Sequence, residues 1–105
     1  TPFVRSTVWC YFAEYPAGAI FAGGAPTGTP IMSLVVYTLL GGLDDDGRQR
    51  LIAGATEILG RHSGASGRVP AFVVIREVAE HDWGLFGEPG SLQALRESSP
   101  DLPPI

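Results

Sequence analysis

Two arginines stand inside runs of strand-forming residues, Arg5 within Phe3–Phe12 and Arg76 within Ala71–Val78. A guanidinium placed there can hold a small carboxylate through two parallel hydrogen bonds. The plainer role for Arg76 is an ion pair with Glu77 or Glu80, or simple exposure, and Arg5 is open to the same readings. His81-Asp82 has the make-up of a proton relay, since a carboxylate can orient an imidazole, but such a pair also suits a solvated turn. His62 falls at the end of a helical stretch, where a cation is favoured by the helix dipole. Trp9, Tyr11, Trp83 and Phe86 could line a pocket, and equally could pack in a core or a subunit interface. Cys10 alternates within an apolar run and is expected to be an inert core residue. Thr1 has no neighbouring base to make it a nucleophile. Gly23-Gly24 is followed by no lysine, so it reads as a turn and not as a phosphate loop.

Composition narrows the field. The chain has 105 residues, a length that suits one domain, and 45% hydrophobic residues, enough for a core. All seven basic residues are arginine, against eleven acids, for a net charge of -4. That balance argues against nucleic acid, which calls for a basic stripe. The longest apolar stretch, Ile31 to Leu43, is too short to span a membrane and contains Ser33 and Thr38. No basic segment followed by an apolar run opens the sequence, so no secretory signal is read and a cytoplasmic setting is expected. The lone Cys10 excludes an intrachain disulfide and a cysteine zinc cluster; no metal site is expected.

The elements that must position these residues follow from patterning. Phe3–Phe12 predicts a strand, with Thr7, Trp9 and Tyr11 on one face and Val8, Cys10 and Phe12 on the other. Ala19–Gly24 predicts a short strand or hairpin arm, and Ala25–Pro30 a turn. Ile31–Leu40 reads as a strand buried on both faces. Gly41-Gly42 ends it, Asp44 caps a helix over residues 47–62, and Gly64 or Gly67 stops that helix. Leu51, Ile52, Ala55, Ile58 and Leu59 form its apolar stripe. A strand follows over Ala71–Val78, parallel to the first because a helix joins them in a right-handed crossover. Ser91 caps a short helix through Glu97, and the remaining tail is expected to fray or lie along a partner.

One pattern occurs twice. A strand, an acid and then an apolar glycine-containing turn run from Phe3 to Gly24 and again from Phe72 to Gly87, with Glu14 and Glu77 in corresponding places. The second copy is preceded by its own strand and helix; the first is not. The chain therefore reads as a duplicated β-α-β unit without its first strand and helix. On that division residues 1–29 are the remnant of the first unit, 30–88 the second unit and 89–105 a tail.

The stretch Phe12-Ala13-Glu14-Tyr15-Pro16-Ala17-Gly18-Ala19-Ile20-Phe21-Ala22-Gly23-Gly24 resembles the Phe-x-Glu-x-Pro-Ala-Gly-x-x-Phe-x-Gly-Gly segment of the cis-3-chloroacrylic acid dehalogenase-like group of the tautomerase superfamily. Downstream, Glu77 and Asp82-Trp83-Gly84 are similar to malonate semialdehyde decarboxylase and, more loosely, to 4-oxalocrotonate tautomerase. The resemblance implies an α+β fold of two β-α-β units, assembled as a homotrimer or a heteromer around a sheet-lined barrel. It also implies cofactor-independent chemistry on small 2-oxo acids or unsaturated carboxylates by an amino-terminal proline. Here the strand and helix carrying that proline would be cleaved, disordered or supplied by a separate chain.

Departures from the family pattern limit the chemistry. Pro2 falls in a strand entrance and not at the catalytic position. Pro30 begins a strand at the right place in the second unit but, being internal, has no free amine unless cleavage exposes it. The two carboxylate-holding arginines of the dehalogenases correspond to Leu40 and Leu43, their activating glutamate to Leu85 and an assisting tyrosine to Val74. Hydrolytic dehalogenation is thus disfavoured. Trp83 matches an aromatic pocket residue of the decarboxylase, whose arginines are also missing. An isomerase or lyase is expected, with Arg5, Trp9, Tyr11, Arg76, Trp83 and Phe86 as pocket candidates. The alternatives are a catalytically silent structural or binding subunit and, more remotely, a generic ferredoxin-like domain.

Overall fold

A computed structural model of the chain describes residues 1–28 and 30–105. Thr29, inside the expected Ala25–Pro30 turn, lies outside the described residues. The chain opens on a short helix, α1 (Pro2–Ser6), followed by a hairpin of β1 (Phe21–Ala22) and β2 (Ala25–Pro26). Next come β3 (Met32–Leu39), α2 (Asp45–Ser63) and β4 (Ala71–Val78). A 3-10 turn at Glu80–Asp82 leads to a second hairpin, β5 (Gly84–Leu85) with β6 (Glu88–Pro89), and then to α3 (Leu92–Arg96).

The central β-α-β unit forms for the reasons its sequence supplies. The Asp44 carboxylate accepts from the Gly47 amide at 2.6 Å, with Asp45 and Asp46 in the first turn, and Gly64 closes the helix at φ 71. That left-handed conformation is open to glycine at little cost. β3 and β4 pair in parallel from Met32↔Ala71 to Leu39↔Val78. The pairing extends beyond both ends through Met32 N–H to Pro70 O and Leu40 N–H to Val78 O. α2 lies chiefly over β4.

Two expectations are corrected. Phe3–Phe12 is not a strand: Thr1 accepts from the Val4 amide at 3.1 Å and Pro2 occupies the first turn, so a helix starts there instead. Beyond it, residues 8–15 take no regular structure, because strand propensity needs a neighbouring strand and none adjoins them. Cys10 is accordingly exposed and not in a core. β3, for its part, is covered on one face only. Leu34, Val36 and Thr38 are half-buried, while Ser33, Val35 and Tyr37 are exposed, as are Phe72, Val74 and Arg76 beside them on β4. An apolar run suits two-sided burial, but the described residues provide a covering layer on one side. On the open side only the end of the sheet is sealed, where Leu39 packs against Gly90.

This leaves an open structure. Leu39, at 9% exposure, is the one buried hydrophobic residue among the described residues. The radius of gyration is 17.0 Å, against about 13 Å for a compact chain of this length. The accessible surface is 8207 Å², where a compact monomer of 11.1 kDa shows roughly 5,700 Å². The tail is laid back against the start of the chain: the Ile105 amide donates to Ser6 Oγ at 3.0 Å, and the Thr1 and Ser98 hydroxyls lie 3.3 Å apart. Among the described residues no helix is long and apolar enough to cross a membrane.

Two glycines of α2 predict opposite responses to alanine. Nothing lies within 4 Å of a Cβ added at Gly54, so Gly54→Ala is expected to stabilise by about 0.5–1 kcal/mol through helix propensity. A Cβ at Gly60 would meet Val69 Cγ2 at 2.6 Å, the tip of a short, stiff side chain. Gly60→Ala should therefore cost about 1–2 kcal/mol. Thermal melts of the two variants check the difference in sign.

Candidate functional site

The open face of the β3–β4 pair gathers polar groups on an apolar ground. Tyr37 and Arg76 are register partners, so their side chains leave the sheet on the same side as neighbours. Val35 and Val74 form the next pair along, and Ser33 and Phe72 the one after. Arg76 makes neither of its expected ion pairs. Glu77 points to the other face, where Arg48 of α2 donates to it, and Glu80 Oε1 accepts from the Leu92 amide at 2.8 Å. The Arg76 guanidinium thus has no hydrogen bond or ion pair among the described residues. A cation beside a phenol on an apolar face can orient a small carboxylate and donate to its carbonyl or enol oxygen.

On the helix-covered face the Arg48–Glu77 pair fastens the start of α2 to the end of β4. Arg48 also donates to Asp45 at 2.8 Å. The hydrogen bond to Glu77 is the largest influence raising the Arg48 pKa above its already high ordinary value; burial opposes it, and the charges of Glu77 and Asp45 add to it. Arg48 is therefore always charged and already engaged, a fastening and not a substrate anchor. Beside Glu77 in the register, Thr38 Oγ1 is a buried hydroxyl with no hydrogen-bond partner among the described residues.

The remaining candidates are dispersed. Arg5 is exposed on α1. Trp9 is exposed, its indole donating to Ser6 O at 3.0 Å, and Tyr11 stands almost fully in solvent. Trp83 is half-buried next to the second hairpin, and Phe86 sits exposed at its turn with a φ of 54°. That left-handed value is strained for a phenylalanine. His81 and Asp82 are 3.6 Å apart and both exposed, an arrangement of a solvated turn. Of the positions corresponding to dehalogenase residues, Leu40 and Val74 are exposed, and Leu43 and Leu85 half-buried.

None of the six pocket candidates lines either of two clefts found among the described residues. One, of about 290 Å³, is apolar and is bounded by Phe3, Leu85, Leu95 and Leu102. The other, of about 470 Å³, is bounded by Glu14, Tyr15, Thr27, Pro30 and Met32. Among the described residues no group of acids, histidines or cysteine could hold a metal ion.

Sequence reasoning missed two partnerships, Tyr37 with Arg76 and Arg48 with Glu77. The first was available from laying Ile31–Leu40 beside Ala71–Val78 in parallel. The second needs the helix placed over β4, which no linear spacing reveals.

No curated protein and no solved structure matches the chain. A family model described as tautomerase enzyme matches residues 34–92, which run from within β3 through α2, β4 and the second hairpin to the start of α3. This is more than half of the sequence and contains the whole crossover on which the Tyr37–Arg76 face is built, and so the chain belongs to the tautomerase family.

Proposed function

We propose that the protein is an isomerase or lyase of the cis-3-chloroacrylic acid dehalogenase-like group, acting on a small 2-oxo acid or unsaturated carboxylate. The observation that carries the reading is Arg76, an unpaired cation set beside Tyr37 on an apolar sheet face of a tautomerase-family fold. Arg76 holds the substrate carboxylate, and Tyr37 faces the adjacent oxygen. An amino-terminal proline, which does not stand at the start of residues 1–105, moves the proton: its neutral amine takes one from the enol hydroxyl and returns one to carbon. No cofactor takes part. Trp83 and Phe86, with Arg5, Trp9 and Tyr11 from the amino-terminal segment, complete the pocket on assembly. The assembly is a homotrimer or a heteromer in which a strand and helix from outside residues 1–105 join this chain. Surface exposed beyond that of a compact monomer, about 2,500 Å², supports such an interface.

The test is ketonisation of phenylenolpyruvate or 2-hydroxymuconate, before and after a proline-directed alkylating agent. The expected result is turnover that alkylation abolishes. Turnover that is absent, or indifferent to alkylation, favours the second reading, a catalytically silent structural or binding subunit. That reading draws its support from the apolar Leu40, Leu43, Val74 and Leu85, which leave no carboxylate clamp or activating acid at the dehalogenase positions.

A further inference from the structure

From Arg76 the open face of the β3–β4 pair runs in one direction only. Past the Tyr37–Arg76 rung the next register pair is Leu39–Val78, where Leu39 is buried and packs against Gly90. A ligand held by its carboxylate on Arg76 therefore extends its carbon chain the other way, over Val35–Val74 and then Ser33–Phe72. Val35, Val74 and Phe72 are all exposed, so the path is apolar surface open to a ligand. Residues sharing one strand face repeat at about 6.6 Å, which puts the valine rung about 6.6 Å and Phe72 about 13 Å from Arg76 along β4.

Charge is confined to the anchored end. The outward residues of the face, Ser33, Val35, Tyr37, Phe72, Val74 and Arg76, include one cation and no acid. The chain has no lysine. Arg48, Arg50 and Arg61 are paired with Glu77, Asp46 and Glu57, and Arg96 donates to Gly41 O at 3.3 Å. Arg68 lies before β4, past the Phe72 end, and Arg5 stands on α1. A six-carbon diacid holds its carboxyl carbons about 6 Å apart, on bonds of about 1.5 Å. With one end on Arg76, its other carboxylate comes down on the two valines, where it loses water and meets no cation. A phenyl ring of the same reach buries apolar surface there instead, with Tyr37 at one end of the rung and Phe72 at the other to meet its edges.

We infer that the site takes an aryl-substituted 2-oxo acid with a single carboxylate, and rejects a dicarboxylate by leaving its second charge unpaired on the Val35–Val74 rung. Val35 and Val74 are then specificity-determining residues, which touch the part of the substrate that differs and not the part that reacts. The inference rests on the proposed carboxylate anchor and goes beyond it, since Arg76 by itself would hold either acid.

The test uses the protein isolated, in the assembly it forms, from the cells that make it. Equilibrium binding is measured for 3-phenylpropanoate and for adipate, two unreactive carboxylates of matching reach. The expected result is phenylpropanoate bound at least tenfold tighter than adipate, and weakened at least tenfold by Arg76→Ala. Val74→Arg, which adds a cation to the exposed rung, should cut the preference at least tenfold. Adipate bound as tightly as phenylpropanoate overturns the inference, as does binding of neither acid. So does phenylpropanoate binding that Arg76→Ala leaves unchanged, or a preference that Val74→Arg leaves unchanged while its Tm matches the parent's. A preference for adipate that Arg5→Ala removes identifies Arg5 as a second anchor, and also overturns it. Ketonisation that fails while the expected binding preference holds rejects the chemistry of the proposed function alone.

Discussion

Replacing Leu39 by alanine should cost about 2–4 kcal/mol of folding stability, the largest loss expected from one side chain. Leu39 ends β3 and is packed beneath Gly90, where an added Cβ would lie 3.3 Å from its Cδ2. It joins the β-α-β unit to the second hairpin, so its truncation opens a cavity and uncouples two elements at once. A chain of this size holds about 5–15 kcal/mol in total, and one with so little buried surface stands at the low end. Urea unfolding followed by tryptophan fluorescence should show the midpoint collapse for Leu39→Ala. Leu39→Met, which keeps the volume, should cost less than about 1.5 kcal/mol.

Replacing Arg76 by alanine should lower kcat/KM for an anionic enol acid about 100-fold, equivalent to about 2.7 kcal/mol of transition-state binding. The loss should fall mainly on KM, because a carboxylate anchor serves ground and transition states alike. Arg76→Lys should recover only part of the activity, since an ammonium lacks the planar fork. Arg68→Ala, removing an exposed arginine in the loop before β4, serves as the control and should leave kinetics unchanged. Thermal melts should separate the two roles of the position: Arg76 is exposed and has no ion pair among the described residues, so its loss should barely move Tm while activity falls.

What could be read from the sequence was what local chemistry decides. Asp44, Asp45, Asp46 and Gly64 carry a helix start and stop in their own side chains and backbone, and α2 lies within two residues of its expected limits at the start and one at the end. β3 and β4 were legible because long β-branched runs flank a helix of crossover length. Residues 3–12 misled because their β propensity is a statement about neighbours they lack here, whereas Thr1 and Pro2 act within a single turn. Of the six pocket candidates read from the sequence, Arg76 is the one that stands on the open face of the β3–β4 pair. Its surroundings depend on which residue of β3 lies opposite, and Arg76 was offered Glu77 as a partner although adjacent strand residues point to opposite faces.

The elongated shape also governs how the assembly must be measured. A body of 48 × 26 × 26 Å with a radius of gyration of 17.0 Å has the girth of a compact protein of about 220 residues, roughly twice its own length. On a sizing column the single chain would therefore elute where a globular dimer belongs. Light scattering or sedimentation equilibrium, which weigh the particle without reference to its outline, are the measurements that count subunits here.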